Sequence, residues 1–590
     1  MTFDRLYSAS QAQLLKLLRW RVWIQEQLEP TEWQITLLWA AVAGFLGAMA
    51  ALLFTGLTEG VHELLTGSRA GVVESMRVLP AWAVVLIPTA GGLLAGLVLK
   101  FGKRLAPGQS STDYMDAIAI GNGRIPVRAS LVKSGAALFS IGSGGSIGRE
   151  GPLVQLAALM ASSIGRWREL TPTRQRLLVA CGAASGIASA YNAPIAGSFF
   201  VAEIILGTIA MESLGPLVIA AVVATLTMRA LTSAAQLYTV PAFRLNSLWE
   251  IGPYVLLGLV TGTVAPWFLR SLRRAERFFV ALPLPLAARL AVGGLLVGVL
   301  AVRVPEVCGN GYTVVVGILN GEFLWPALLL IFACKWLATA SSFGSGAPGG
   351  VFTPSLFMGA STGFLFGTGV HAFWPAGAVD PRAFALVGMG AFLSAASHAP
   401  VMAIIMLFEM TLSYDIVLPL MLCSVIAYYT AKGLESHSLY SEAISRKRAG
   451  MPSVTVLEGN LVGEFMKPQP PAVRADAPFA EVARVFLSVR VNNLYVTDEQ
   501  DIFLGVVSLH DIKPFLGEPA MARVILARDI LHEDFPRIRA DETLSDGLGR
   551  FLGVTAERLP VVDRANKLIG SLAKNDLLLA LSERQKKAIR

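Results

Sequence analysis

The chain has 590 residues, 54% of them hydrophobic and only 15% charged, with a mean hydropathy of +0.58. A soluble globular chain carries about 25% charged residues. This composition excludes a disordered chain, a fibrous repeat and an ordinary cytosolic enzyme, and predicts a polytopic membrane protein with a soluble portion attached.

The charge is unevenly spread. Residues 451–590 hold 18 Lys and Arg against 19 Asp and Glu, which leaves 31 basic and 22 acidic residues in the first 450. The net charge of +8 therefore belongs to the membrane body. It reads as positive-inside topology, not as a nucleic-acid surface. The basic runs 16-KLLRWR-21 and 270-RSLRRAER-277 are placed on the cytoplasmic side. The nearly neutral tail argues against a polyanion partner.

Residues 1–33 mix charges with apolar residues and lack a small-residue cleavage site, so they are read as a cytoplasmic amphipathic helix. The runs 34–57 and 80–100 are long enough to cross a bilayer. Later apolar runs are short: 153–164, 176–189, 195–210, 356–372, 383–397 and 399–411. Gly, Pro and Ser clusters separate them, which predicts discontinuous helices ending inside the membrane. The four cysteines, Cys181, Cys308, Cys334 and Cys423, lie in apolar stretches without CxxC spacing, so neither a disulfide framework nor a zinc site is expected.

The body repeats. The stretch 142-GSGGSIGREGP-152 aligns with 344-GSGAPGGVFTP-354 at an offset of 202, and 193-APIAGSFFVAE-203 aligns with 399-APVMAIIMLFE-409 at 206. Two halves, about 34–235 and 250–445, follow. Repeated halves with interrupted helices place a substrate site at their interface. Both Gly-rich loops open an apolar helix. Glycine lets main-chain N–H groups approach a ligand, and a helix start offers unpaired donors and a positive dipole end. Inside a bilayer an anion suits such donors. Close helix packing through small residues is the alternative for either loop alone.

Arg149-Glu150 places ionisable residues within a membrane segment, a functional signal by default. A carboxylate at a helix N-terminus can occupy an anion's place until it is protonated or swings away. The alternative is a structural Arg149–Glu150 pair.

The stretches 148-GREGP-152 and 350-GVFTP-354 strongly resemble signature loops of the CLC chloride channel and H+/Cl− exchanger family, supported by 192-NAPIAG-197, 387-VGMGAFLSAASHAP-400 and 438-SLYSEA-443. The resemblance covers about 34–445. It is nearest the bacterial ClcB-type branch through 112-TDYMDA-117, 181-CGAASGIASAYNAP-194 and 309-GNGY-312. It implies an all-α membrane domain of two inverted repeats of broken helices. It also implies a homodimer in a bacterial inner membrane with cytoplasmic termini, and one chloride pathway per subunit. Glu150 would be the gate. Val351 and Phe352 would donate main-chain N–H groups to the anion, Tyr440 a hydroxyl, and Gly148, Arg149 and Gly151 would border it. A chloride leak serving as an electrical shunt in acid stress is implied by the branch.

Two departures stand out. The family's first signature, GSGIP, is replaced by 108-GQSST-112, so Gln109 stands where a serine contacts the anion, with Ser110 or Ser111 as the nearest hydroxyls. The family's proton relay acid is replaced by Ile204, after Glu203. Ile204 cannot bind a proton, so a passive chloride conduit is favoured over an exchanger, and Glu203 is read as a structural partner.

The tail repeats at an offset of 65: 474-RAD-476 with 539-RAD-541, Leu494 with Leu559, Asp498 with Asp563, Gly505 with Gly570 and Asp511 with Asp576. Each unit reads as a short helix, two strands and a final helix. It resembles a tandem pair of CBS domains, 463–517 and 528–582, of α+β type. Such pairs can hold an adenine nucleotide. The ribose-binding pattern survives as Ser508 and Asp511, while the second copy keeps Asp576 without the hydroxyl. A structural dimer scaffold is the other reading. No P-loop, metal cluster or nucleophile–base constellation is visible, so neither enzymatic activity nor a required cofactor is expected. A remaining reading makes the CBS pair a regulator with a membrane anchor, but an anchor has no use for two intramembrane glycine loops and an acid.

Overall fold

The computed structural model describes residues 32–102, 113–119, 121–232, 238, 248–374, 380–440, 461–489, 491–512, 525–552 and 557–573. Residues 1–31 of the N-terminal helix expected over 1–33, together with Gln109, Ser110, Ser111 and Asp576, lie outside the described residues. The chain divides into two units, Met1–Ile444 and Ser445–Arg590.

The first unit is helical. Its first half contains α1 (Glu32–Thr66), α2 (Val72–Val78), α3 (Ala81–Gly102), α4 (Asp113–Ala119), α5 (Val127–Gly142), α6 (Glu150–Trp167), α7 (Pro172–Tyr191), α8 (Pro194–Phe199) and α9 (Met211–Thr232). The second half contains α10 (Ile251–Ala281), α11 (Leu286–Ala301), α12 (Tyr312–Asn320), α13 (Trp325–Ser345), α14 (Phe352–Phe373), α15 (Pro381–Ser397), α16 (Pro400–Thr411) and α17 (Val417–Leu434). Among the described residues six helices are long and apolar enough to cross a membrane: α1, α3, α9, α10, α13 and α17.

Helix composition follows position. The central helices α7, α14 and α15 are rich in Ala, Gly and Ser and buried along most of their length. Small side chains let backbones approach, which is what stabilises helix contacts where lipid removes the hydrophobic drive. Helices α1, α3, α9, α13 and α17 turn large apolar residues outward, such as Leu53, Trp82, Leu226, Leu330 and Leu418. That outer belt suits lipid. The 195–210 run differs from the single segment expected. After the short α8 the chain widens into a π-helix, Phe200–Leu206, and closes on Gly207 with φ 69°.

The repeat is visible in the caps. Asn192 and His398, 206 positions apart, end α7 and α15 in the left-handed conformation with φ 54° and 57°. Gly144 and Gly346, 202 apart, have φ 93° and 94°. A side chain is strained at such angles, so glycine at both places fixes the same loop twice.

The tail unit holds two small sheets. The first has order β2-β3-β4, from Ala472–Arg474, Asn493–Thr497 and Phe503–Ser508. The second has order β1-β7-β6-β5, from Lys467–Pro468, Leu568–Ala573, Arg558–Val562 and Ile538–Arg539. Helices Phe479–Ser488 and Leu544–Leu552 cover them. Each copy opens on a single short 3-10 turn, Val462–Glu464 and Ala527–Ile530, and a short strand precedes its longer helix. The first residues of the tail join the second copy: β1 pairs antiparallel with β7, and Val462 packs beside Leu544 and Phe551. A linear division into two consecutive copies therefore misses this exchanged strand.

Candidate functional site

The two Gly-rich loops meet. Gly148 donates its N–H to the Gly350 carbonyl at 2.7 Å, and Gly350 returns the bond at 2.8 Å. This isolated antiparallel bridge is self-reciprocal, as expected where two copies of one motif face across a two-fold. A Cβ on Gly350 would lie 2.8 Å from Glu150 Oε2, so the carboxylate lies directly over the bridge.

Helices α6 and α14 start from this point. Their N-caps, Arg149 and Val351, make no side-chain cap bond. The main-chain donors of both helix starts thus converge with nothing from their own caps to satisfy them. The Glu150 side chain crosses to the start of α14. Its Oε1 accepts the Thr353 hydroxyl and the Tyr191 hydroxyl, the latter at 2.8 Å. Tyr191 and Thr353 are themselves 2.9 Å apart. Glu150 is 4% exposed, and its Oε2 has no partner. The Arg149–Glu150 ion pair considered from sequence does not form: hydroxyls hold the acid, and Arg149 lines an adjoining cavity.

The structure brings Gly148, Arg149, Glu150, Gly151, Val351 and Phe352 together. Gly151 packs against the Gly349–Gly350 backbone. Tyr440 joins through rings: its centroid is 5.5 Å from Phe200, which is 6.3 Å from Phe352. Tyr191 and Thr353 were not singled out as contacts of Glu150, although both lie within quoted motifs. Outward from Glu150 lies a cavity of about 840 Å³, bordered by the end of α1, residues 308–313, Arg149, Tyr191 and Tyr238.

A buried lysine also went unnoticed. Lys335, in the middle of α13, donates to the carbonyls of Val307 at 2.8 Å and Gly309 at 2.7 Å. Gly309 in turn donates its N–H to the Gly144 carbonyl at 3.2 Å. An intramembrane charge is tolerated when carbonyl dipoles surround it. This one ties the cavity wall to the first repeated loop.

Ile204 lies in the π-helix, packed against the core. The Glu203 carboxylate accepts the N–H groups of Val401 at 3.3 Å and Met402 at 2.7 Å. Glu409 accepts those of Ile195 at 3.0 Å and Ala196 at 2.7 Å. Each repeat's glutamate therefore caps the other repeat's helix. The free donors at a helix start and its positive dipole end both favour a carboxylate there.

In the tail, Asp511 Oδ2 accepts the Ser508 N–H at 3.0 Å and meets His532 Nε2 at 2.9 Å. Burial alone would raise the Asp511 carboxyl. The bonds from Ser508 and the nearby His532 outweigh it and hold the group below the usual carboxylate range. A folded-state value below the unfolded one adds stability that is complete above about pH 4 and lost as pH falls through the folded value. Asp511→Asn is expected to remove that acid-dependent loss, read as a flatter unfolding curve of the tail by circular dichroism between about pH 2 and about pH 5.

A family profile described as voltage gated chloride channel matches residues 91–432, and one described as CBS domain matches 462–518 and 527–583. A ClcB-like protein of Ralstonia nicotianae is 50% identical over 415 residues, covering 69% of this chain and 97% of its own. The voltage-gated ClC-type chloride channel ClcB of Citrobacter koseri is 40% identical over 410 residues, covering 68% and 97%. Among solved structures, a slow cyanobacterial Cl−/H+ antiporter superposes with TM-score 0.64 at 26% identity over 71% of this chain and 99% of the other. A eukaryotic CLC transporter superposes with TM-score 0.64 at 19% identity over 92% and 97%, a likeness of fold. With the profile match spanning more than half its length, the chain belongs to the voltage gated chloride channel family, CLC, and carries a CBS pair in its tail.

Proposed function

We propose that the protein conducts chloride through each subunit and that Glu150 is its gate. The observation that carries this reading is the seat of the Glu150 carboxylate, on the Thr353 and Tyr191 hydroxyls at the start of α14. A carboxylate and a chloride ion ask for the same donors, so one excludes the other. The Gly148–Gly350 bridge occupies two N–H groups and leaves Val351 and Phe352 as the next main-chain donors along the loop. Tyr440, which reaches Phe352 through the Phe200 ring, supplies the hydroxyl. Binding by neutral dipoles holds the ion without trapping it.

Proton exchange is the second reading, favoured by the likeness to a slow Cl−/H+ antiporter. Against it, Ile204 carries no titratable group, and both Glu203 oxygens are engaged on α16. The deciding experiment is flux from reconstituted vesicles under a chloride gradient. Chloride efflux without uphill proton movement is expected. Uphill proton movement at fixed stoichiometry would replace the conduit with an exchanger, and no chloride movement would remove both.

The remaining readings are a bacterial inner-membrane homodimer with cytoplasmic termini and a role as an electrical shunt in acid stress. Exposed apolar residues on α8, α16 and α17, such as Ile195, Val401 and Met421, suit a second copy. An adenine nucleotide at the CBS pair would need Asp511, which His532 already engages. Calorimetry of the full chain with ATP, ADP and AMP tests this: heat that disappears in Asp511→Ala supports a nucleotide site, and no heat leaves the scaffold role.

A further inference from the structure

Two residues that border the same cavity each carry a buried polar oxygen with no partner among the described residues. Glu150 Oε2 accepts no bond. The Tyr238 hydroxyl neither gives nor accepts one, although this side chain is 1% exposed. Tyr238 is anchored from elsewhere. Its N–H donates to the Met410 carbonyl at 3.4 Å, and its ring lies 5.2 Å from that of Tyr312 at 30°. The cavity of about 840 Å³ is bordered by Tyr238, Glu150, Arg149, Tyr191 and Thr353 together.

A buried hydroxyl without a partner costs about 1–3 kcal/mol, so its retention calls for an occupant. One of the two orphan groups is a donor and the other an acceptor. A carboxylate leaving the Thr353 and Tyr191 hydroxyls must find new donors, because an ionised acid cannot remain bare in a cavity within the membrane.

We infer that Tyr238 is the latch of the open gate: its hydroxyl receives the Glu150 carboxylate when that group leaves the anion's seat. Tyr238 is a positioning residue, acting on chloride only through Glu150, and this inference rests on the gate reading above. Arg149 borders the same space and adds a positive charge near the latched position. Glu59 and Glu63 border the same cavity, and the like charge of Glu59 disfavours movement of the acid towards it. Arg69 is bonded to Glu63 at 2.8 Å. His62 is held by the Gly142 carbonyl at 2.9 Å and by Ser75 at 3.1 Å. The Tyr312 ring lies 5.2 Å from that of Tyr238, and Tyr440 contacts Phe200, which in turn contacts Phe352. The closed state thus spends Glu150 on two hydroxyls of the seat, and the open state spends it on one hydroxyl of the vestibule.

The test is chloride flux from vesicles holding the full chain, from about pH 4.5, close to the ordinary glutamate value, to about pH 7.5, well above it. In Tyr238→Phe the ionised open state loses its partner. Flux on the alkaline side is expected to fall roughly tenfold, the effect of one bond to a charged group. Flux on the acid side should stay within about twofold, because a protonated acid needs the latch far less. In a Glu150→Ala background, Tyr238→Phe is expected to change nothing, which also shows that the variant folds and conducts. Equal alkaline flux in wild type and Tyr238→Phe would overturn the latch. An equal loss in the Glu150→Ala background would also overturn it, by making Tyr238 part of the conduit wall. If Glu150→Ala is as pH-sensitive as wild type, the gate reading itself fails and the latch fails with it.

Discussion

Glu150→Gln is expected to give chloride flux that is flat within about twofold from about pH 4.5 to about pH 7.5, where the wild type changes about tenfold or more. Glutamine keeps the length of the side chain and an oxygen for the Thr353 and Tyr191 hydroxyls. It lacks the charge that competes with chloride at the start of α14. A neutral amide therefore imitates the protonated acid at every pH. The sign follows from the closed state: the ionised form holds the seat, so flux in the wild type rises as pH falls. A wild-type pH response in Glu150→Gln would remove Glu150 as the gate.

Glu203→Ala and Glu409→Ala are each expected to lower stability by about 2 kcal/mol, since each carboxylate serves two N–H groups at the start of the opposite repeat's helix. Thermal unfolding in detergent should show a Tm lower by roughly 2 °C for either variant, given the size of the membrane unit. Chloride flux per folded protein should be unchanged in both, because neither acid borders the seat of Glu150. The matched losses are the informative part. A relay acid would instead change proton movement with little effect on Tm, and that outcome for Glu203 alone would break the symmetry drawn here.

The cross-capping also explains a feature of the sequence. The spacing from Ala193-Pro194 to Glu203 recurs from Ala399-Pro400 to Glu409. Within one copy the glutamate sits far beyond its own helix start. Only when two copies face each other does each acid reach the other's free N–H groups. The repetition was legible in the letters, but the partner of each acid was not, because a linear chain does not say which copy a side chain addresses.

The same holds around Glu150. An acid beside glycines, opening an apolar helix within a membrane body, marked the position from sequence. Its actual partners, Thr353 and Tyr191, come from α14 and the end of α7. Arg149, the neighbour in sequence, was the natural candidate for an ion pair, yet the helix start turns consecutive side chains in different directions. Lys335 passed unnoticed because a single lysine in an apolar run resembles an interfacial anchor until the carbonyls around it are seen. Tyr238 carried no motif at all.

By itself the sequence determined the membrane body, its two halves, the paired glycine loops, the acid between them and the two copies in the tail. Each follows from local composition and repetition, which need no knowledge of contacts. Only the tertiary structure decided that the loops bridge through Gly148 and Gly350, that Glu203 and Glu409 exchange helices, and that the first strand of the tail completes the second sheet. These are pairings between distant segments. They are set by which unsatisfied donor meets which acceptor once the chain is packed, a condition on three-dimensional neighbours that no window of sequence contains.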